Sequence, residues 1–311
     1  MKTYDIAIAS DDNYAYLLTT SMISCLENNI DSLITIHIFY DKLSDESVKN
    51  INKSLEQYKN CRLCFYDTQL YIDKLRSLGL SGWGKENSLS IYSRLYAPHL
   101  IDHDIEKILY VDCDTLFCGK IDDLFQTDMS DFVVGGVIDA YQIGHKIKDL
   151  QMMRNSPYVN SGVLLIDCNK WRNEGVLNTV IALLKENHYF LPDQDAINVC
   201  LDGKIKVLPL KYNIFSRTMK TKRLEYSKYA DCFYQNDEIA SSCDHPYIIH
   251  FAGTNPKRPW DGGLFYRKQW LQYYRKICFK KNIPFIVSHK EIKTFIRRQI
   301  YRLKSTLLSH K

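Results

Sequence analysis

The segment Ile108-Leu109-Tyr110-Val111-Asp112-Cys113-Asp114 constrains the fold more than any other stretch of the chain. A short apolar run of this kind reads as a buried strand. Its two carboxylates, one residue apart, then emerge at the strand's carboxyl end, the edge of an open α/β sheet where ligands bind. Two acids so placed can share a hard divalent cation, and such a cation commonly holds phosphates. The same spacing occurs at Asp102/Asp104 and Asp193/Asp195, but only the middle pair terminates a strand-like run. A solvated acidic turn is the competing reading, so the rest of the chain has to decide between the two.

The flanking sequence favours an α/β body. Residues 4–9, 33–40, 62–66, 106–111, 132–138, 159–167 and 247–251 read as strands. Helical stretches fall at 13–26, 44–58, 69–79, 90–100, 169–187 and 193–201. Strands alternating with helices imply a mainly parallel sheet. No Gly/Ser/Pro linker divides residues 1–282, which form one expected domain, with 283–311 as a tail. The first turn, Ala9-Ser10-Asp11-Asp12-Asn13, matches neither a dinucleotide fingerprint nor a P-loop.

A hydrophobic content of 45% with 13% aromatics excludes a disordered chain. No uncharged apolar run approaches the ~20 residues of a membrane helix. Asp11 and Asp12 interrupt the first apolar run too early for a signal peptide, so a cytosolic protein is expected. The ten cysteines are scattered. Cys61 and Cys64 have C-x-x-C spacing without a second such pair, which reads as a strand with two buried thiols rather than a metal or redox site. The net charge of +5 is concentrated at the end of the chain. Lys290, Lys293, Arg297, Arg298, Arg302, Lys304 and Lys311 face only Glu291 there, and the remainder is close to neutral. Ile292, Phe295, Ile296, Ile300, Leu303 and Leu307 recur at helical spacing between them. A basic amphipathic helix of this kind suits an anionic membrane surface, or else packs on the body with a solvated basic face. No nucleic-acid motif accompanies it.

Several short motifs follow in order: Ala9-Ser10-Asp11-Asp12-Asn13-Tyr14-Ala15, Ser90-Ile91-Tyr92-Ser93-Arg94-Leu95, the acidic strand end, and Val159-Asn160-Ser161-Gly162-Val163 before Lys170-Trp171. Pro192-Asp193-Gln194-Asp195 and His250-Phe251-Ala252-Gly253, followed by Lys257-Arg258-Pro259-Trp260, complete the set. Across residues 4–262 this series resembles glycosyltransferase family 8, which includes bacterial lipopolysaccharide galactosyl- and glucosyltransferases. The resemblance implies a GT-A fold and transfer of a hexose, galactose or glucose, from a UDP-sugar to a glycan or lipid-linked acceptor, with retention of configuration, in lipopolysaccharide or other surface polysaccharide synthesis. It implies that Asp112, Asp114 and His250 bind Mn²⁺, with Mg²⁺ as the alternative. Mixed oxygen and nitrogen ligands suit Mn²⁺.

By the same resemblance, Ala9, Asp11 and Asn13 contact the nucleoside. Arg94 clamps the donor sugar or phosphate, and Asn160 and Asp193 bind sugar hydroxyls. Gln194 lies nearest the reacting face, Gly253 and Lys257 contact the diphosphate, and Asp139 touches the acceptor. The segment from His250 to Pro259 is about two residues longer than the family pattern His-x-x-Gly-x-x-Lys-Pro-Trp, which leaves Lys257 and Arg258 as alternatives for the phosphate. Gln194 is a poor nucleophile, so attack on the same face as the departing UDP is favoured over a double displacement, with Asp193 or Asp195 as the alternative nucleophile. Two rival functions compete with this one. One is a haloacid-dehalogenase-type phosphatase, whose signature wants Thr or Val two residues after the second Asp, where this chain has Leu116. The other is a non-catalytic nucleotide-sugar or membrane-binding module.

Overall fold

A computed structural model of the chain describes residues 1–80, 82, 89–153, 155–221, 224, 233–253, 257–279, 281 and 283. Seven strands form the main sheet: β1 (Lys2–Ser10), β2 (Ser32–Tyr40), β3 (Cys61–Asp67), β4 (Lys107–Val111), β6 (Val134–Ile138), β7 (Val159–Asp167) and β8 (Ile205–Val207). Their order is β3-β2-β1-β4-β7-β6-β8. The first four are mutually parallel, β7 runs antiparallel to both its neighbours, and β8 is parallel to β6. The sheet is therefore mixed but mainly parallel. β4 is fully enclosed between β1 and β7, so its run of Ile108, Leu109, Tyr110 and Val111 is buried on both faces.

A second, three-stranded sheet contains β5 (Thr115–Phe117), β10 (Ile248–His250) and β9 (Ile214–Phe215), in the order β5-β10-β9. The strand expected at 247–251 belongs to this small sheet, not to the main one. Strands of two or three residues, such as β5, β8 and β9, are too short to show a two-residue period in sequence.

The helix expected over 169–187 is two helices, Cys168–Asn173 and Val176–Glu186. Gly175 separates them at φ +65°, a left-handed conformation that glycine adopts without a Cβ penalty. Asp167 caps the first of these, accepting from the Lys170 amide at 2.9 Å. The stretch 90–100 opens as a 3₁₀ turn, Ser90–Tyr92, and continues as the helix Ser93–Leu100. Cys61 and Cys64 lie in β3 as expected, but half-buried, because β3 is an edge strand. All cysteines among the described residues are free thiols. No described helix is long and apolar enough to cross a membrane. The basic tail, apart from Ile283, lies outside the described residues.

Candidate active site

The strand register brings the three expected cation ligands together. Asp112 extends the ladder between β4 and β7, its amide donating to the Gly162 carbonyl at 2.8 Å. The chain then leaves the main sheet, and Thr115 starts β5. β10 runs antiparallel to β5 with His250 opposite Thr115, and the Phe251 amide donates to the Asp114 carbonyl at 2.9 Å. That pairing sets His250 Nε2 3.1 Å from Asp114 Oδ1 and 3.8 Å from Asp112 Oδ2. One ligand atom from each of the three lies within 4.8 Å of the other two, and among the described residues this is the only such group of His, Cys and acidic side chains.

Gly162 makes room for the cluster. A Cβ built there would fall 2.3 Å from His250 Cε1 and 2.6 Å from Asp112 Oδ2, so only a hydrogen fits. The donor set fits a divalent cation: two carboxylates and an imidazole converge on one point beside a residue that leaves the space open. Asn213 Oδ1 lies 3.1 Å from His250 Nδ1, which leaves Nε2 directed at the carboxylates.

The electrostatics follow from that convergence. Burial pushes the Asp112 carboxyl up, against the pull of Arg94 and His250. For Asp114, burial also acts upward, but the charge and hydrogen bond of His250 outweigh it and hold the group below its usual value. His250 is drawn down by burial and further up by Asp114 and Asp112, so it ends above an ordinary imidazole.

Arg94 stands behind the acids. Its Nη2 donates to Asp112 Oδ1 at 2.9 Å, Nη1 to the Ser161 carbonyl at 2.6 Å, and Nε to the Ile91 carbonyl at 2.9 Å. Nη1 also lies 3.2 Å from Asp193 Oδ2. The guanidinium sits over the Tyr110 ring, 4.7 Å from its centroid. At 5% exposure, Arg94 organises Asp112 and Asp193 from within the protein. Burial disfavours its charge, yet the surrounding acids more than restore it.

The helix Pro192–Cys200 supplies the opposite wall, with Pro at its start and Asp193 and Asp195 in its first turn, where a helix favours negative charge. Asp193 accepts from Ser161 Oγ at 2.9 Å. Gln194 Oε1 accepts from Asn160 Nδ2 at 2.9 Å and from the Ser161 amide at 3.1 Å. Gln194 Nε2 donates to Asp139 Oδ2 and to the Tyr158 hydroxyl, both at 3.0 Å. Asp139 is 5% exposed, and burial pushes its carboxyl up against the hydrogen bonds it accepts.

Asp195 is fully enclosed, paired with Lys146 Nζ at 2.7 Å and bonded by the Leu191 amide and the Tyr158 hydroxyl. Removing one member of a buried ion pair strands the other charge. Lys146→Met is therefore expected to lower stability by about 3 kcal/mol, read as a shift of the urea unfolding midpoint. An unchanged midpoint would show that Asp195 does not depend on this partner.

The first turn holds Ala9, Asp11 and Asn13, the expected nucleoside contacts. Asp11 Oδ1 accepts from the amides of Asn13 and Tyr14 at 2.8 and 3.1 Å, which folds the loop tightly after the half-buried Ala9. Tyr14, not singled out by the sequence, is 44% exposed beside Asp11. A small cavity of about 240 Å³ lies between Asn13, Tyr14 and Tyr16 on one side and Arg258, Trp260 and Asp261 on the other. Arg258 Nε donates to Asp261 at 2.6 Å. Its charge is drawn down by burial but held up by Asp261 and by Asp114, whereas Lys257 is exposed. Gly253 takes φ +77° at the turn after β10.

A model of glycosyl transferase family 8 matches residues 5–262, more than four-fifths of the chain. The chain belongs to glycosyl transferase family 8. Among its relatives are a lipopolysaccharide 1,2-glucosyltransferase of Escherichia coli (strain K12), 28% identical over 278 residues that cover 87% of this chain and 76% of the relative. General stress protein A of Bacillus subtilis (strain 168) is 25% identical over 277 residues, covering 86% and 92%. The fold matches a crystal structure of the galactosyltransferase LgtC in complex with donor and acceptor sugar analogs, with a TM-score of 0.74 at 21% identity, covering 89% of this chain and 98% of that one.

The architecture is thus that of a GT-A enzyme of family 8, as the motif order implied. Membership makes the chain a hexosyltransferase-family enzyme and displaces both the phosphatase and the binding-module readings. Asp102 falls in an exposed turn, its Oδ1 accepting from the Asp104 amide, and takes no part in the site. The residues that sequence reasoning passed over are Gly162, Asn213, Tyr14 and Tyr158. Gly162 stood inside a quoted motif, and its spatial role shows only once His250 is placed.

Proposed function

We propose that this family 8 enzyme transfers galactose or glucose from a UDP-sugar to a glycan acceptor, with retention of configuration, in the synthesis of lipopolysaccharide or another surface polysaccharide. The observation that carries this reading is the convergence of Asp112, Asp114 and His250 at the carboxyl end of β4. Two carboxylates and one imidazole leave coordination positions for diphosphate oxygens, and Mn²⁺ or Mg²⁺ bound there would supply Lewis-acid neutralisation of the departing UDP. The nucleoside lies along the Ala9–Tyr14 turn, with Tyr14 offering an exposed ring to the base. Arg258, half-buried and electrostatically favoured by Asp114, suits the diphosphate better than the exposed Lys257. Gly253 allows close backbone approach on the same side. Asn160 and Asp193 line the donor sugar, and Asp139 holds the acceptor side next to Gln194.

Same-face attack is supported by how Gln194 and Asp195 are bonded. Both acceptor directions of Gln194 Oε1 are taken by Asn160 and Ser161. Asp193 is bonded by Ser161 and lies beside Arg94, and Asp195 is sealed from the cleft. Neither Gln194 nor Asp195 offers a free oxygen for a covalent intermediate, which supports attack by the acceptor hydroxyl beside the leaving diphosphate, with the proton passing to the diphosphate, over a double displacement through Asp193. The basic tail would hold the enzyme at an anionic membrane surface, where each Lys or Arg adds about 1 kcal/mol. The test is UDP release over a panel of UDP-hexoses, with the product anomer read by NMR. Retained configuration with a galactose or glucose donor is expected; an inverted product would overturn the reading.

A further inference from the structure

A hydrogen-bonded path crosses the site from Lys146 to His250, and each link fixes the direction of the next. Lys146 Nζ and the Tyr158 hydroxyl both donate to Asp195. A hydroxyl has one proton, so the Tyr158 oxygen accepts from Gln194 Nε2. Gln194 Oε1 must then face Asn160 Nδ2, and the Ser161 amide, which can only donate, requires oxygen at the same position. Asn160 Oδ1 in turn accepts from the Gly162 amide at 3.0 Å and from Asn213 Nδ2 at 2.9 Å. With its amide nitrogen so engaged, Asn213 presents Oδ1 to His250 Nδ1 at 3.1 Å. An oxygen there demands a proton on Nδ1, so Nε2, which faces Asp114 and Asp112, is the nitrogen left to bind a cation.

We propose that Asn213 is a positioning residue: it imposes the cation-binding tautomer on His250 and, through Asn160, orients Gln194, so that the cation ligand and the reacting-face amide are set as one unit. Asn213 is 2% exposed and lies in the turn between the 3₁₀ helix Leu210–Tyr212 and β9, on the inner side of His250. Without its oxygen, nothing holds a proton on Nδ1, and the neutral imidazole can keep its one proton on Nε2 against Asp114, where the cation would bind. Outer-shell partners of this kind typically contribute 10–100-fold in metal affinity. The inference rests on reading Asp112, Asp114 and His250 as a cation site.

Two variants separate the roles. Asn213→Leu removes both links. Asn213→Asp keeps an acceptor for His250 Nδ1 but sets a carboxylate against Asn160 Oδ1, which disturbs the Asn160–Gln194 end. Mn²⁺ affinity is measured by electron paramagnetic resonance on the full chain, with folding checked by circular dichroism, and kcat and KM are measured separately. Asn213→Leu is expected to weaken Mn²⁺ binding about 10–100-fold. Asn213→Asp should bind Mn²⁺ as tightly as the parent, with KM for Mn²⁺ unchanged, while kcat falls about tenfold. If Asn213→Leu does not fold, Asn213→Asp alone decides, through the split between retained affinity and lost kcat. Unchanged affinity in Asn213→Leu, or equal loss of affinity in both variants, overturns the proposal. A parent protein that does not bind Mn²⁺ at all overturns the cation site itself, a different result from either of these.

Discussion

Asp114→Asn is expected to reduce sugar transfer about a thousandfold while the fold remains intact. Asp114 is the carboxylate closest to His250 Nε2, at 3.1 Å, and its charge is held by that contact. Asparagine keeps the shape but removes the charge that a cation needs. Loss of a Lewis acid from a departing diphosphate raises the barrier by about 4 kcal/mol, and each 1.36 kcal/mol is a factor of ten. Its backbone carbonyl continues to pair with Phe251, so the junction between the two sheets should hold. The check is the rate of UDP release beside the circular dichroism spectrum. A variant with near-parent activity would remove Asp114 from the machinery.

Gly162→Ala is the second large effect. One methyl group placed 2.3 Å from His250 Cε1 and 2.6 Å from Asp112 Oδ2 must displace one ligand or the other. Neither can give easily. Asp112 is tied to Arg94, and His250 is 3% exposed, with Phe215 packed edge-on against its ring at 5.5 Å. A ligand misplaced by about 1 Å costs on the order of a hundredfold in rate. The expected result is a matching loss of Mn²⁺ affinity with only a modest change in melting temperature. Parent-like Mn²⁺ binding in this variant would mean that the cation does not sit among these three side chains.

Much of this site was legible in the sequence, for definite reasons. The run before Asp112 is uniformly apolar because β4 is enclosed on both faces, and that enclosure puts the acids at a sheet edge. Asp193 and Gln194 follow a helix-starting proline, a strong local signal. The position of His250 opposite Thr115 was not legible, because it depends on pairing between three-residue strands far apart in the chain. Asn213 gave no signal: it sits in a turn without periodicity, and its meaning comes only from facing His250 and Asn160 together. Arg94 is named by its motif as a donor clamp, yet its guanidinium is bonded to Asp112 and the Ser161 carbonyl, a burial that helix periodicity alone does not reveal. The break at Gly175 is hidden in the sequence because the apolar spacing continues across it.

The claim at the centre of the mechanism is that Asp112, Asp114 and His250 hold the cation that lets UDP leave. The most direct test is UDP release by chelator-stripped protein as Mn²⁺ is added back, run beside Asp114→Asn. Saturable restoration of activity in the parent, with none in the variant at the same Mn²⁺, is the predicted result. Full activity of the stripped protein, or equal restoration of both, would contradict it.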